Sequence, residues 1–170
     1  MRVLSLFFGG LLALGLAGCA SYRVGPTNGL AAGEKSVQVN FFQNKTREPR
    51  LVEAVNSALR KNLQKDGTYR LNTRDEGDIV ISGEIVGFNR SPLSFQAADI
   101  ITVRDYTLLL TAKIVATERA SGKVILQREV SGKTTIRAGT DLASAERQAV
   151  PLLADDLAKN AAALLADGTW

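Results

Sequence analysis

The sequence predicts an α+β two-layer sandwich: a mainly antiparallel four-stranded sheet with two helices on one face, in the order β-α-β-β-β-α. Three observations predict it. Two segments repeat apolar residues at helical spacing, near residues 49–66 and 141–166. Several others alternate apolar and polar residues in the two-residue period of a half-buried strand. The last two strand segments are separated only by Arg119-Ala120-Ser121-Gly122, a turn short enough to make them an antiparallel hairpin. Strand runs flanked by amphipathic helices bury both apolar surfaces by stacking in two layers.

The chain has 170 residues and opens with a segment of different character. Arg2 supplies a positive start, and Val3 to Ala17 is apolar apart from Ser5 and three glycines. Such a run is shorter than the roughly 20 residues that span a bilayer. It has the make-up of a secretory signal, and it ends Leu16-Ala17-Gly18-Cys19. That ending resembles the lipobox of bacterial lipoproteins, in which the cysteine receives a diacylglyceryl group and becomes the new N-terminus. The alternative, an ordinary signal cleaved nearby, leaves a stray thiol. Cys19 is the one cysteine of the chain, so no intrachain disulfide is possible. The expected organisation is a signal peptide over 1–18, a lipidated Cys19 with a flexible tether over 19–35, and one domain over 36–170. Residues 20–35 are small, polar and Gly/Pro-containing, as a tether requires.

Within the domain, Val37, Val39 and Phe41 alternate with Ser36, Gln38 and Asn40, predicting a first strand. Asn44-Lys45-Thr46 then reads as a turn leading into a helix, and Pro49 suits that helix's first turn. Leu51, Val52, Val55, Leu59 and Leu63 form its apolar stripe, and Gly67 is its expected stop. Ile79, Ile81 and Ile85 share one face of the second strand, over 79–88. Gly83 and Gly87 interrupt it, marking bulges or close backbone approach. Residues 89–98 are expected to form a loop.

A long strand follows over about 100–117. Tyr106, Leu108, Leu110, Ala112, Ile114 and Ala116 face the core, and Asp105, Thr107, Thr111 and Lys113 face away. The closing strand runs over 123–137, with Val124, Leu126, Val130 and Ile136 on one parity that Arg128 interrupts. In the last helix the stripe is Val150, Leu153, Leu157, Ala161, Leu164 and Leu165. Pro151 predicts either a kink or a main helix that starts there.

Composition narrows the chemistry. The formal charge is +4, and histidine is absent. Without histidine, and with the cysteine assigned to lipid, most nucleophile–base pairs and transition-metal ligand sets are missing. The expectation is a protein that is not an enzyme and carries no cofactor beyond the lipid on Cys19. Mild basicity in an exported protein points to acidic lipids or phosphorylated glycans rather than nucleic acid. Gly132-Lys133-Thr134 matches the end of a phosphate-binding loop, but Gln127 stands where that loop needs glycine, and a strand rather than a helix follows. Asp75, Glu76 and Asp78 read as a solvated turn rather than a glycosidase pair. The outward face of the hairpin is the candidate site: Lys113, Lys133 and Arg137, with Arg90 near the loop, would present cations to the phosphates of a glycolipid. The competing assignment for Lys113 is a cross-strand pair with Glu129.

Several stretches taken together resemble the lipopolysaccharide-assembly lipoprotein family (LptE-like). They are Gly18-Cys19-Ala20-Ser21-Tyr22, Val37 through Thr46 with Glu48-Pro49, Asp78 through Ile85, and Ser91-Pro92-Leu93-Ser94. Tyr106 with its following apolar run, Ser121 through Leu126 and Arg128 through Gly132 complete them. The resemblance implies a non-enzymatic outer-membrane lipoprotein on the periplasmic face. It would sit inside a large β-barrel translocon, help assemble it and deliver lipopolysaccharide to the surface. Ala20 after the lipidated cysteine fits outer-membrane sorting. An alternative is an envelope lipoprotein that regulates a peptidoglycan synthase or forms part of a secretion channel.

Overall fold

The computed structural model describes residues 31–97, 99–139 and 141–167. The expected signal peptide, Cys19 and most of the tether lie outside these residues. The elements are β1 (Ser36–Val39), β2 (Gln43–Asn44), α1 (Leu51–Asp66), β3 (Arg70–Leu71), β4 (Ile79–Gln96), β5 (Asp99–Glu118), β6 (Val124–Arg137) and α2 (Leu142–Asp167).

The class is α+β, as expected, but the sheet is mixed and six-stranded. Its order is β3-β1-β4-β5-β6, and β2 pairs with β4 off that path. β1 runs parallel to both β3 and β4, and β2 runs parallel to β4. The expectation of four mainly antiparallel strands failed at this edge for a topological reason. A strand that leads through a helix to its neighbour returns by a crossover, and a crossover makes the pair parallel. The hairpins β4–β5 and β5–β6 are antiparallel.

The expected strand β1 ended one residue pair too late. All four of its residues are buried, and the chain leaves the strand after Val39. Phe42 therefore enters the core at 3% exposure, whereas Phe41 is 72% exposed and lies under the Arg60 guanidinium at 5.5 Å. Residues 89–96, expected as loop, continue β4. Pro92 is tolerated there because β4 is a sheet edge along this stretch, where a missing N–H breaks no second ladder.

Helix α1 starts just past Pro49. Its approach is shaped by Asn44, whose Oδ1 accepts from the Thr46 N–H and hydroxyl while its Nδ2 donates to Glu48 O. Gly67 ends it at φ 76°, with its N–H donating to Leu63 O. Helix α2 is continuous through Pro151. Its buried face is Ala149, Val150, Leu153, Ala154, Leu157, Ala158, Ala161, Ala162 and Leu165; Leu164, expected in this stripe, is partly exposed.

Both helices cover one face of the sheet, and the core lies between. Leu108, Leu110, Ala112, Ile114 and Ala116 of β5 are fully buried on that face, together with Ile81, Ile85, Leu59 and Leu153. Each such leucine or isoleucine contributes roughly 1.5–3 kcal/mol of transfer free energy. Residues 33–35 lie against the body: the Gly33 N–H donates to Thr68 O, and Lys35 pairs with Glu118 at 2.8 Å.

Candidate functional site

The other face of the sheet carries no helix. The two-residue strand period sends Asp105, Thr107, Leu109, Thr111, Lys113 and Val115 of β5 to this side, because their even-numbered neighbours fill the core. Register places β6 beside them: Arg137 opposite Asp105, Thr135 opposite Thr107, Lys133 opposite Leu109, Ser131 opposite Thr111 and Glu129 opposite Lys113. On β4, Glu84 stands opposite Lys113 and Ser91 opposite Thr107. A register shift between Ile85 and Gly87 marks a bulge there, which moves the apolar parity of β4 from odd to even residues.

The face has three zones. At one end Glu84, Lys113 and Glu129 form a charged row, extended by Lys45, whose Nζ lies 3.8 Å from Glu84. They border a shallow depression with Gln43, Ser82 and Gln127. The middle is rich in hydroxyls: Ser91, Thr107, Thr111, Ser131 and Thr135, with Lys133 as its cation. At the other end, Asp105 gathers Ser94, Arg104 and Arg137, with the Ser94 hydroxyl donating at 2.6 Å and the Arg137 Nε at 3.3 Å. The Ser94 hydrogen bond, followed by the arginines, holds the Asp105 carboxyl below its ordinary value.

The four cations expected as a site are not brought together. Lys113 and Arg137 sit at opposite ends of the face, separated by eight residues of β5, or roughly 26 Å. Lys133 lies between them, its backbone N–H donating to Asp156 at 2.8 Å. Arg90 is elsewhere. The bulge turns it to the helical side, where its guanidinium lies over Tyr106 at 5.2 Å and pairs with Glu146 of α2. Reading residues 89–98 as a loop hid that reversal. The hydroxyl zone was visible in the alternation of β5 and β6, but reading the face for cations passed over it.

Among the described residues no cluster of metal-ligating side chains occurs, and no helix is long and apolar enough to cross a membrane.

Comparison with known proteins fits this architecture. A structure from Xanthomonas campestris shares 8% identity at a TM-score of 0.62, covering 87% of this chain and 93% of that one. A hypothetical protein of Chlamydia trachomatis shares 10% at 0.57, covering 79% and 96%. A minor lipoprotein of Acinetobacter baumannii shares 13% at 0.52, covering 78% and 92%. At these identities the likeness is one of fold. No curated protein matches the chain. A family model described as lipopolysaccharide-assembly, LptE, matches residues 34–167. That match runs through every strand and both helices described above, and the chain therefore belongs to the LptE lipopolysaccharide-assembly family.

Proposed function

We propose that the protein is a non-enzymatic outer-membrane lipoprotein, held on the periplasmic face through lipid on Cys19. It assembles with and plugs a β-barrel translocon and assists lipopolysaccharide transport to the cell surface. The observation that carries this reading is the helix-free sheet face with its hydroxyl-rich middle. The lumen of a transmembrane barrel is polar and wet. Serine and threonine hydroxyls exchange hydrogen bonds with water for bonds to such a wall, without the large cost of desolvating a charge. A sheet face without helices is free to lie against a wall, and the helices on the opposite side keep the core intact without it.

Lys113 and Lys133, with Arg137 at the far end, are the cations of this face that would meet glycolipid phosphates. Two acyl chains or more on Cys19 anchor stably, at roughly 0.8 kcal/mol per buried CH₂.

The test is a mild-detergent pull-down of the tagged, lipidated protein from outer membranes, with partners identified by mass spectrometry. Recovery of a large β-barrel in near-equal amount is expected. Recovery of a peptidoglycan synthase, or of the protein alone, would overturn the reading. Glycolipid binding is tested separately with Lys113→Ala/Lys133→Ala; unchanged binding removes those two residues from it.

A further inference from the structure

The charged row of the open sheet face borders a depression of about 530 Å³, a volume in the range of small-ligand sites. Register places Glu84 and Glu129 directly across from Lys113, one on each neighbouring strand. Opposite charges so placed are natural cross-strand partners. Yet among the described residues Lys113 pairs with neither, and Glu129 pairs with no cation. Glu84 has only Lys45, at 3.8 Å. The side chains of Gln43, Ser82 and Gln127, which line the same depression, make no hydrogen bond to a described residue either. Carboxylates elsewhere are spent: Asp78 on Ser36, Asp105 on Ser94 and Arg137, and Asp155 on Lys159 and Asn62. The depression thus gathers polar groups that the fold itself leaves unused.

The order of the charges selects a ligand. A bare phosphate drawn to Lys113 meets a carboxylate on each side, and a bare cation drawn to Glu129 meets Lys113. A zwitterion satisfies both. Adjacent strands lie roughly 4.8 Å apart, and the two-carbon bridge of an ethanolamine phosphate ester sets its ammonium and phosphate at a similar separation. Val115, half-buried beside the row, gives that bridge an apolar wall.

We propose that this depression binds a phosphoethanolamine group, with its phosphate on Lys113 and its ammonium on Glu129. The amides of Gln43 and Gln127 supply further hydrogen bonds. The group can be carried by a phospholipid as its headgroup or by a glycolipid as a substituent, and the chemistry recognised is the same. The proposal rests on the reading of Lys113 as a cation that meets glycolipid phosphates, and it gives the neighbouring carboxylate a part that a phosphate-only site would not need.

The probe is O-phosphoethanolamine, added to the tagged, lipidated chain in nonionic detergent, with binding read by saturation-transfer NMR. Glycerol phosphate and ethanolamine are the comparison probes. Phosphoethanolamine should bind roughly fivefold more tightly than either, the effect of one further exposed charge contact. Lys113→Gln should weaken phosphoethanolamine and glycerol phosphate alike. Glu129→Gln should bring phosphoethanolamine down to the level of glycerol phosphate, which it should not weaken. Both residues are exposed, so the melting temperatures should match the parent's. Phosphatidylethanolamine, and lipopolysaccharide with phosphoethanolamine substituents, are then competed against the probe. Displacement by either supports the proposal and identifies the carrier; displacement by neither overturns it. Equal binding of the three probes, or a preference that survives Glu129→Gln, also overturns it. Glycolipid binding that depends on Lys113 but is indifferent to Glu129→Gln would sink this proposal and leave the glycolipid reading standing.

Discussion

Gly132 of β6 lies directly under the backbone of Leu157 in α2: a Cβ at Gly132 would stand 2.4 Å from the Leu157 nitrogen and 2.6 Å from Leu153 O. Neither atom can move without moving the helix. Gly132→Ala is therefore expected to push α2 off the sheet at a cost of about 1–3 kcal/mol, the range for overpacking. Thermal melting by circular dichroism should show a fall of several degrees. An unchanged midpoint would mean that the helix accommodates a methyl group the geometry excludes.

Asn56 of α1 is 2% exposed. Its Nδ2 donates to Val52 O, but its Oδ1 accepts no hydrogen bond from any described group. A buried acceptor without a donor carries its desolvation cost uncompensated. Asn56→Leu keeps the approximate shape and removes that cost, so stability should rise by about 1 kcal/mol. Urea unfolding is the measurement. A lower midpoint would show that the carboxamide is held by a group that leucine cannot replace.

Much of this packing was legible in the sequence, and the exceptions have specific causes. The parity of β5 was readable because its buried side alternates without interruption from Leu108 to Ala116. Gly67 was readable because a helix stop at positive φ is a local requirement. The parallel edge was not: β2 and β3 are two residues each, too short for any periodicity, and only the crossover through α1 fixes their direction. The helical-side position of Arg90 depends on the bulge near Gly87, which reverses the side chains of β4 from there to Pro92, where a second register shift follows. The need for glycine at 132 was not legible, because its constraint, the Leu157 backbone, lies 25 positions away in the sequence. The open face was visible as an alternation, but its division into charged and hydroxyl zones depends on the β4–β5–β6 register.

The start of β1 is fastened by carboxylates, and this gives the fold an acid limb. The Ser36 N–H and hydroxyl both donate to Asp78 Oδ2, at 2.7 and 2.6 Å. Those bonds hold the Asp78 carboxyl below its ordinary 3.8, and the Lys35 hydrogen bond holds Glu118 below 4.5. A lowered carboxylate contributes stability above its unfolded value and loses it as pH falls through the folded one. The melting temperature should therefore be level near neutrality and decline below about pH 4.5, as these groups take up protons. Asp78→Asn keeps an acceptor for Ser36 but does not titrate, so its melting temperature should fall less steeply over that range. An acid limb identical to the parent's would remove Asp78 from the account.

The outer edge of β6 ends the sheet, and an open edge invites another strand. Here α2 covers part of it with two side chains one helical turn apart. Asp156 Oδ2 accepts from the Lys133 N–H at 2.8 Å, and Asn160 Nδ2 donates to Ser131 O at 2.8 Å. Together they satisfy a donor and an acceptor that a neighbouring strand would otherwise use. Asp156→Ala/Asn160→Ala is expected to cost about 1 kcal/mol for each lost hydrogen bond. More tellingly, it leaves the edge available at the centre of β6. Light scattering should then show concentration-dependent self-association that the parent lacks. Association should weaken when Ser131 is replaced by proline, because a proline there disrupts the exposed edge. If the double variant loses stability but stays monomeric, the two side chains serve only to dock α2. If it loses neither, water replaces both bonds at no cost, and the edge is protected by the bulk of the helix alone.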